Sequence, residues 1–152
     1  MMRLGGVLAL SVLLLSTLSC QREEEIKRQR YITEGILVYR NNCANCHQTS
    51  GQGLAALYPP IAGSDYLADK KGVICLIRYG QRGPILVNGK RYNRPMPAQP
   101  QLSALEIAEL TTYLYNEWGG ETRLTDVKTV APILEQCRDS EQPTVSSAAP
   151  RQ

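Results

Sequence analysis

The 152-residue sequence contains no phenylalanine and only one tryptophan and one histidine. Large aromatic side chains normally supply much of a packed core, so an organic cofactor at the centre would explain a core that has only tyrosines and one tryptophan to draw on. The length fits one domain with its own core. A hydrophobic content of 43% with 20% charged residues is ordinary for a globular protein.

The sequence also lacks a strong excess of either charge. It has 17 lysines and arginines against 14 aspartates and glutamates, and Arg3 lies in a segment that we expect to be removed. Domains that bind nucleic acid usually carry a clustered basic excess. We therefore expect no nucleic acid partner.

The longest apolar run, residues 4–18, follows Arg3. It is shorter than the roughly 20 residues of a permanent membrane helix but fits the apolar part of a secretory signal peptide. Leu18 and Ser19 then precede Cys20, which resembles a bacterial lipoprotein processing site, although Thr17 stands where leucine is usual. We predict a lipoprotein signal peptide over residues 1–19 and a lipid on Cys20. The alternative is an ordinary signal peptide followed by an incidental cysteine, and both interpretations predict export.

The motif Cys43-Ala44-Asn45-Cys46-His47 reads C-x-x-C-H. This pattern is typical of covalent haem attachment, in which two thiols bind the porphyrin and the histidine ligates the iron. A structural zinc site needs four cysteine or histidine ligands, and only two distant cysteines remain to complete one. A thioredoxin-like site needs a strand before the motif, whereas the preceding residues have helical periodicity. Haem attachment is the favoured interpretation.

Helical patterns flank this motif. Apolar residues with helical spacing predict a helix over residues 26–42, and Gly35 inside it indicates close approach by another helix. Highly charged residues 20–30 are predicted to form a tether leading into this helix. A further helical segment begins at Ser64 or Asp65 and ends near Tyr79, with a break predicted at Gly72.

The second half of the chain contains one β signal and two more helical patterns. Asn88-Gly89 between short apolar runs predicts a β-hairpin over residues 85–92. Ser103 and Glu106 form a capping-box pattern that predicts a helix over residues 104–118, and a weaker helix is expected over residues 125–137. Residues 138–152 have the composition of a disordered tail.

Met96 is the only methionine outside the first two residues, and it stands between Pro95 and Pro97. Methionine is usually flexible core filling, which is the alternative interpretation. A loop stiffened by two prolines is a poor place for core filling and a good one for presenting a thioether to iron. We predict that Met96 is the second axial ligand.

Residues 32–119 together resemble a class I cytochrome c of the small bacterial type with one haem. The resemblance rests on the C-x-x-C-H motif, Gly51 and Gly53, the pattern P-x-I-x-G at residues 59–63, the R-P-M-P loop, and the closing helix that ends at Trp118-Gly119. It implies an all-α fold of three to five helices around one covalently attached haem c, with a small β-hairpin before the methionine loop. The implied cytochrome c domain spans residues 31–137.

The resemblance also implies particular contacts. The first and last helices of the family cross closely, which Gly35 would permit, with Tyr113 or Leu114 as its partner. A proline carbonyl accepts a hydrogen bond from the second nitrogen of the haem histidine, which fixes the tautomer. Pro59 matches that proline by position, and Pro60 is the close competitor.

Cys75 and Cys137 remain once Cys20, Cys43 and Cys46 are assigned. Export to an oxidising compartment would allow these two to form a disulfide. The alternative is a buried thiol at Cys75 and an unrelated Cys137.

A haem iron ligated by His47 and Met96 has no open position, so we expect a non-enzymatic carrier of single electrons. The family context implies a terminal oxidase, a nitrite reductase, a quinol-oxidising complex or a dehydrogenase as partner, met at the periplasmic side of a bacterial membrane. Basic residues in the middle of the chain are either a docking patch or simply solvated: Lys70, Lys71, Arg78, Arg82, Lys90, Arg91 and Arg94. Two other functions remain open, namely a peroxidase or gas sensor in which Met96 dissociates, and an electron-transfer subunit of a larger dehydrogenase.

Overall fold

The computed structural model describes the backbone of residues 4–139 and the side chains of residues 22–137. The side chain of Cys20, the predicted lipid site, lies outside these limits. So do residues 140–152 of the tail predicted over residues 138–152, whereas residues 138 and 139 end the last helix. The elements in chain order are α1 (Leu4–Asn42), α2 (Ala44–His47), a 3₁₀ turn (Asp65–Ala68), α3 (Lys70–Tyr79), β1 (Ile85–Val87), β2 (Lys90–Tyr92), α4 (Ala104–Glu117) and α5 (Val127–Asp139). The predicted all-helical fold with one small hairpin before the methionine loop is confirmed.

The core forms where α1 crosses α4. A Cβ atom added to Gly35 would lie 2.8 Å from both the Glu109 carbonyl carbon and the Tyr113 Cβ, so only glycine allows this approach. Next to the crossing, Tyr39, Tyr113 and Trp118 meet edge to face with ring centroids 5.3 to 5.5 Å apart. Two tyrosines and the tryptophan thus supply the aromatic packing of a core that contains no phenylalanine.

The segment predicted as a tether, residues 20–30, is helical and lies inside α1. Lys27 pairs with Asp126, and Arg28 bonds both Glu25, at 2.6 Å, and Asn116. Tyr31 is buried one turn further on. Pairs such as Glu25 with Arg28 stabilise a helix, which is why the charged composition does not interrupt it. Among the residues searched, no helix is long and apolar enough to cross a membrane.

The break expected at Gly72 lies instead at Asp69, so that prediction was wrong. Ser64 caps the 3₁₀ turn, and the Asp69 carboxylate accepts a hydrogen bond of 3.0 Å from the Gly72 amide to begin α3. Gly72 is therefore a first-turn residue whose amide is capped. The capping box of Ser103 and Glu106 at the start of α4 is confirmed.

The hairpin and α5 complete the fold. Strands β1 and β2 pair antiparallel, with Val87 opposite Lys90, and Asn88 and Gly89 have φ of 50° and 75°, as a type I′ turn requires. Helix α5 packs on α3 and α4. A disulfide joins Cys75 of α3 to Cys137 of α5, with their Cα atoms 5.6 Å apart.

Candidate haem-binding site

The C-x-x-C-H motif folds as a helical turn at the end of α1. The Cys43 amide bonds the Tyr39 carbonyl at 2.8 Å, and the amides of Cys46 and His47 bond the Cys43 carbonyl at 3.1 and 2.9 Å. The buried hydroxyl of Tyr39 donates to the Gln48 carbonyl at 2.6 Å, a contact that sequence patterns did not reveal. The chain is thereby fixed on both sides of His47.

The imidazole of His47 is oriented by a backbone carbonyl. Nδ1 lies 3.0 Å from the oxygen of Pro59 and donates to it, which leaves the lone pair of Nε2 available as a ligand. Burial lowers the pKa of His47, and the hydrogen bond to Pro59 opposes this only in part. The ring is therefore neutral, as ligation requires.

Two glycines shape the loop that brings Pro59 back to His47. Gly51 and Gly53 have φ of 72° and 68°, a region that only glycine adopts readily. A Cβ on Gly51 would meet the Trp118 ring at 2.7 Å. The Gly53 amide bonds the His47 carbonyl at 2.9 Å, and the Ile61 amide bonds the Gly51 carbonyl at 2.7 Å.

The Met96 backbone is held by the end of α3. Gln81 and Met96 exchange two backbone hydrogen bonds of 2.9 Å each. Gly80, with φ of 74°, leaves no space for a Cβ beside the backbone of residues 96–98. These contacts also escaped the sequence patterns, because residues 81 and 96 are joined only through backbone atoms.

One cavity is lined by all five predicted site residues: Cys43, Cys46, His47, Pro59 and Met96. Its empty volume is about 1110 Å³, including the part open to solvent, and side chains such as Val73, Ile77 and Leu110 make its wall largely apolar. Cys43 and Cys46 form no disulfide, so both sulfurs are available for haem attachment. Before attachment, burial, with Cys46 nearby, raises the pKa of the Cys43 thiol to about 12.

This donor set fits a haem. It offers an imidazole nitrogen, a thioether sulfur and two thiols around an apolar space, which is the set that a covalently bound haem uses. In the described part of the chain no group of three or more histidine, cysteine, aspartate or glutamate residues could hold a bare metal ion. The residues present thus match a porphyrin better than a zinc ion.

The family model for cytochrome c matches residues 32–118. The chain belongs to the cytochrome c family. It is 35% identical over 100 residues to cytochrome c-552 of Thermus thermophilus, an alignment that covers 62% of this chain and 76% of that protein. It is 28% identical over 116 residues to the cytochrome c subunit of a quinone-dependent alcohol dehydrogenase of Gluconacetobacter polyoxogenes, covering 74% of this chain but 24% of that subunit. A similar subunit of Gluconobacter oxydans is 30% identical over 88 residues.

As a class I cytochrome c, the protein carries one covalently attached haem c and transfers electrons. The sequence left open whether the basic residues in the middle of the chain form a docking patch or are simply solvated. Lys70 pairs with Glu121 at 2.6 Å, and Lys71, Arg78 and Lys90 bond Gln136, Pro100 and Ala55. Arg82, Arg91 and Arg94 form no ion pair with any described residue, and Arg94 lines the haem cavity.

Proposed function

We propose that this cytochrome c carries single electrons at the surface of a bacterial membrane, with its iron held between His47 and Met96. The ligand assignment rests on one observation. Both side chains line one cavity, and hydrogen bonds hold the His47 ring and the Met96 backbone in place. Pro59 holds the His47 ring, and Gln81 holds the Met96 backbone.

The chain supplies the environment of the electron carrier. When bound, the haem provides a one-electron couple whose potential a methionine ligand raises. The apolar wall excludes water, His47 stays neutral, and the prolines beside Met96 limit the movement of its backbone. If His47 and Met96 both ligate the iron, the bound haem would have no open position for a substrate.

Replacement of Met96 tests the ligand assignment. We expect the Met96→Ala holoprotein to lose the weak far-red absorption band of an iron–thioether bond, to bind carbon monoxide, and to have a lower reduction potential. Leu86→Ala, which truncates an exposed apolar side chain of the nearby hairpin, is the matched control and should keep the band. A far-red band that survives in Met96→Ala would rule out this ligand.

The proposed location is the periplasmic side of a bacterial membrane, with a lipid on Cys20 as the anchor. The support is the sequence of residues 1–20, in which a short apolar run ends at small residues before a cysteine. The mass of the mature protein would show a chain that begins at Cys20 and carries acyl groups. Cys20→Ala should move the protein into the soluble fraction, whereas membrane retention of this variant would contradict the lipid anchor.

The partners are proposed to be redox proteins: a terminal oxidase, a nitrite reductase, a quinol-oxidising complex or a dehydrogenase. A second candidate, a subunit of a larger dehydrogenase, is favoured by the similarity to dehydrogenase cytochrome c subunits, of which this chain spans about a quarter. Purification from membranes without detergent exchange distinguishes the two. A dehydrogenase that co-purifies in fixed ratio supports the subunit role, and a cytochrome that elutes alone supports the mobile carrier.

A further inference from the structure

Helix α3 is joined to α5 by three links along one face. Lys71 Nζ donates to Gln136 Oε1 at 2.8 Å, Cys75 forms the disulfide with Cys137, and the Tyr79 hydroxyl donates to the Leu134 carbonyl at 3.2 Å. Residues four apart lie on the same side of a helix, so the links follow α3 from its first turn to its last. We call this set of contacts the α3–α5 seam.

Other residues of α3 contribute to the haem cavity. Val73, Leu76 and Ile77 line it. The end of the helix also holds the methionine loop, because the Ile77 carbonyl accepts from the Gln99 amide at 3.2 Å and Arg78 donates to the Pro100 carbonyl at 2.8 Å. Gln81, two residues after α3, then pairs with Met96. Helix α3 therefore connects the α3–α5 seam to the methionine loop.

The methionine loop has little burial of its own. Ala98 and Pro100 are exposed, and Pro95 and Pro97 line the haem cavity. Apart from contacts with the haem, the loop is held by the hydrogen bonds that Ile77, Arg78 and Gln81 provide. Whatever fixes α3 also limits how far the Met96 sulfur can move.

The other end of α5 is attached elsewhere. Lys27 of α1 pairs with Asp126 just before α5, and the Thr125 amide bonds Thr112 Oγ1 of α4 at 3.1 Å. These two contacts hold the start of α5 to α1 and α4. Thr125 also accepts a long hydrogen bond of 3.5 Å from Lys70 at the start of α3, but the Lys27–Asp126 pair contacts no residue of α3. Mutation of Lys27 therefore loosens the start of α5 without removing any contact of the α3–α5 seam.

We propose that the Cys75–Cys137 disulfide positions Met96, because it fixes α3 and so limits how often the methionine leaves the iron. This inference rests on the ligation by His47 and Met96 proposed above. The disulfide takes no part in electron transfer itself. It acts through α3 as a positioning pair.

The test uses the holoprotein and the double variant Cys75→Ser/Cys137→Ser. Carbon monoxide reaches ferrous iron only while Met96 is dissociated, so its binding rate reports the open population. We expect the double variant to bind carbon monoxide about tenfold faster than the parent protein, and its ferric form to show a weaker far-red band.

Lys27→Ala is the matched control, since it removes an attachment at the opposite end of α5. It should lower the unfolding midpoint in urea and leave the carbon monoxide rate unchanged. Tyr79→Phe removes one hydrogen bond of the α3–α5 seam without touching a cysteine, and should raise the rate by about threefold. This variant carries the test if the double variant does not fold.

Equal carbon monoxide rates in the parent protein, the double variant and Tyr79→Phe would overturn the inference. An increase in Lys27→Ala as large as that in the double variant would also overturn it, because general loosening of α5 would then suffice. Absence of the far-red band in the parent protein would instead contradict the ligation by Met96. The failure of this inference and the failure of the proposed ligation are therefore distinguishable.

Discussion

Gly35 shows how a single missing side chain sets the distance between two helices. At the α1–α4 crossing, the backbone of Glu109 and the Cβ of Tyr113 occupy the space that a side chain at position 35 would need. Gly35→Ala should therefore destabilise the protein by about 1–3 kcal/mol, the usual range for overpacking, despite the better helix propensity of alanine.

Urea unfolding of the holoprotein measures this effect. Asn41→Ala, at an exposed position in the last turn of the same helix, should change the free energy of unfolding by less than about 0.5 kcal/mol. If Gly35→Ala proved as stable as Asn41→Ala, the crossing would not be as tight as the structure indicates.

The capping box of Ser103 and Glu106 makes a pH-dependent contribution to the stability of the fold. Two hydrogen bonds lower the pKa of Glu106 below 4.5. The larger effect comes from the Ser103 amide and the smaller one from the Ser103 hydroxyl. The folded carboxyl binds its proton less readily than the unfolded one, so this stabilisation is present above about pH 4.5 and is lost as the pH falls through the lower folded pKa.

Ser103→Ala should cost about 1 kcal/mol at pH 7, as for other N-caps. The cost should shrink at pH 3 without vanishing, since the Ser103 hydroxyl also accepts from the Glu106 amide in a bond that does not titrate. Urea curves at both pH values measure it. A cost that grows on acidification would contradict the assignment.

Residues whose roles follow from covalent chemistry were the easiest to predict. Cys43, Cys46 and His47 form a pattern that haem attachment requires. Met96, the proposed second ligand, stood out by its rarity and its two prolines. The choice between Pro59 and Pro60 was harder, because both offer a carbonyl. It depends on how Gly51 and Gly53 turn the loop, which residue identity alone does not determine.

The β-hairpin is attached to the rest of the site through its turn. Asn88 Oδ1 accepts from the Asp65 amide at 2.9 Å, and Asn88 Nδ2 donates to the Gly63 carbonyl at 3.0 Å. Ile85 and Val87 of β1 line the cavity, so the turn holds one wall of the haem site in place.

Asn88→Gly keeps the backbone conformation accessible and removes both bonds, which should cost about 1–3 kcal/mol. Asn88→Asp is the control, since it keeps the acceptor for Asp65 and loses only the donor to Gly63. Hydrogen exchange of the Asp65 amide should accelerate in Asn88→Gly and much less in Asn88→Asp. Equal exchange in both variants would show that the turn does not hold this segment.

Element boundaries were predicted well where capping chemistry is local and poorly where it is not. Ser103 with Glu106 located the start of α4, and Asn88-Gly89 located the hairpin. Residues 20–30 were assigned to a tether because of their charge, but Lys27 and Arg28 have partners 99 and 88 residues away in sequence. Local composition does not contain such contacts. The break at Asp69 was missed because its carboxylate caps the very residue, Gly72, that seemed to interrupt the helix.

The charge of the whole molecule is small, so electrostatic docking has to depend on local groups. Arg94 is exposed and lines the cavity, and Arg91 is exposed on β2, opposite Leu86 of the hairpin. Arg22 and Arg30 carry the same charge on α1, and Arg30 lies about 20 Å along the helix from Cys43.

Arg91→Gln/Arg94→Gln should lower the rate of reduction by an anionic iron hexacyanide about two- to threefold at low salt, and the difference should disappear at high salt. A cationic ruthenium hexaammine reductant should show the opposite change. Arg22→Gln/Arg30→Gln is the charge-matched control and should leave both rates nearly unaltered. Equal effects of the two double variants would mean that net charge, and not the local charge of Arg91 and Arg94, governs the approach of the reductant.

The two cysteine pairs impose opposite requirements on the maturation of this chain. Cys75 and Cys137 have to be oxidised, whereas Cys43 and Cys46 have to remain thiols until the haem is attached. Thiolates are the species that exchange disulfides, and the pKa of about 12 at Cys43 leaves almost none near neutral pH once the pocket has formed. Burial in the folded pocket therefore slows attack by the Cys43 sulfur on other disulfides, so the order of pocket formation, oxidation of the second pair and haem attachment matters for this chain.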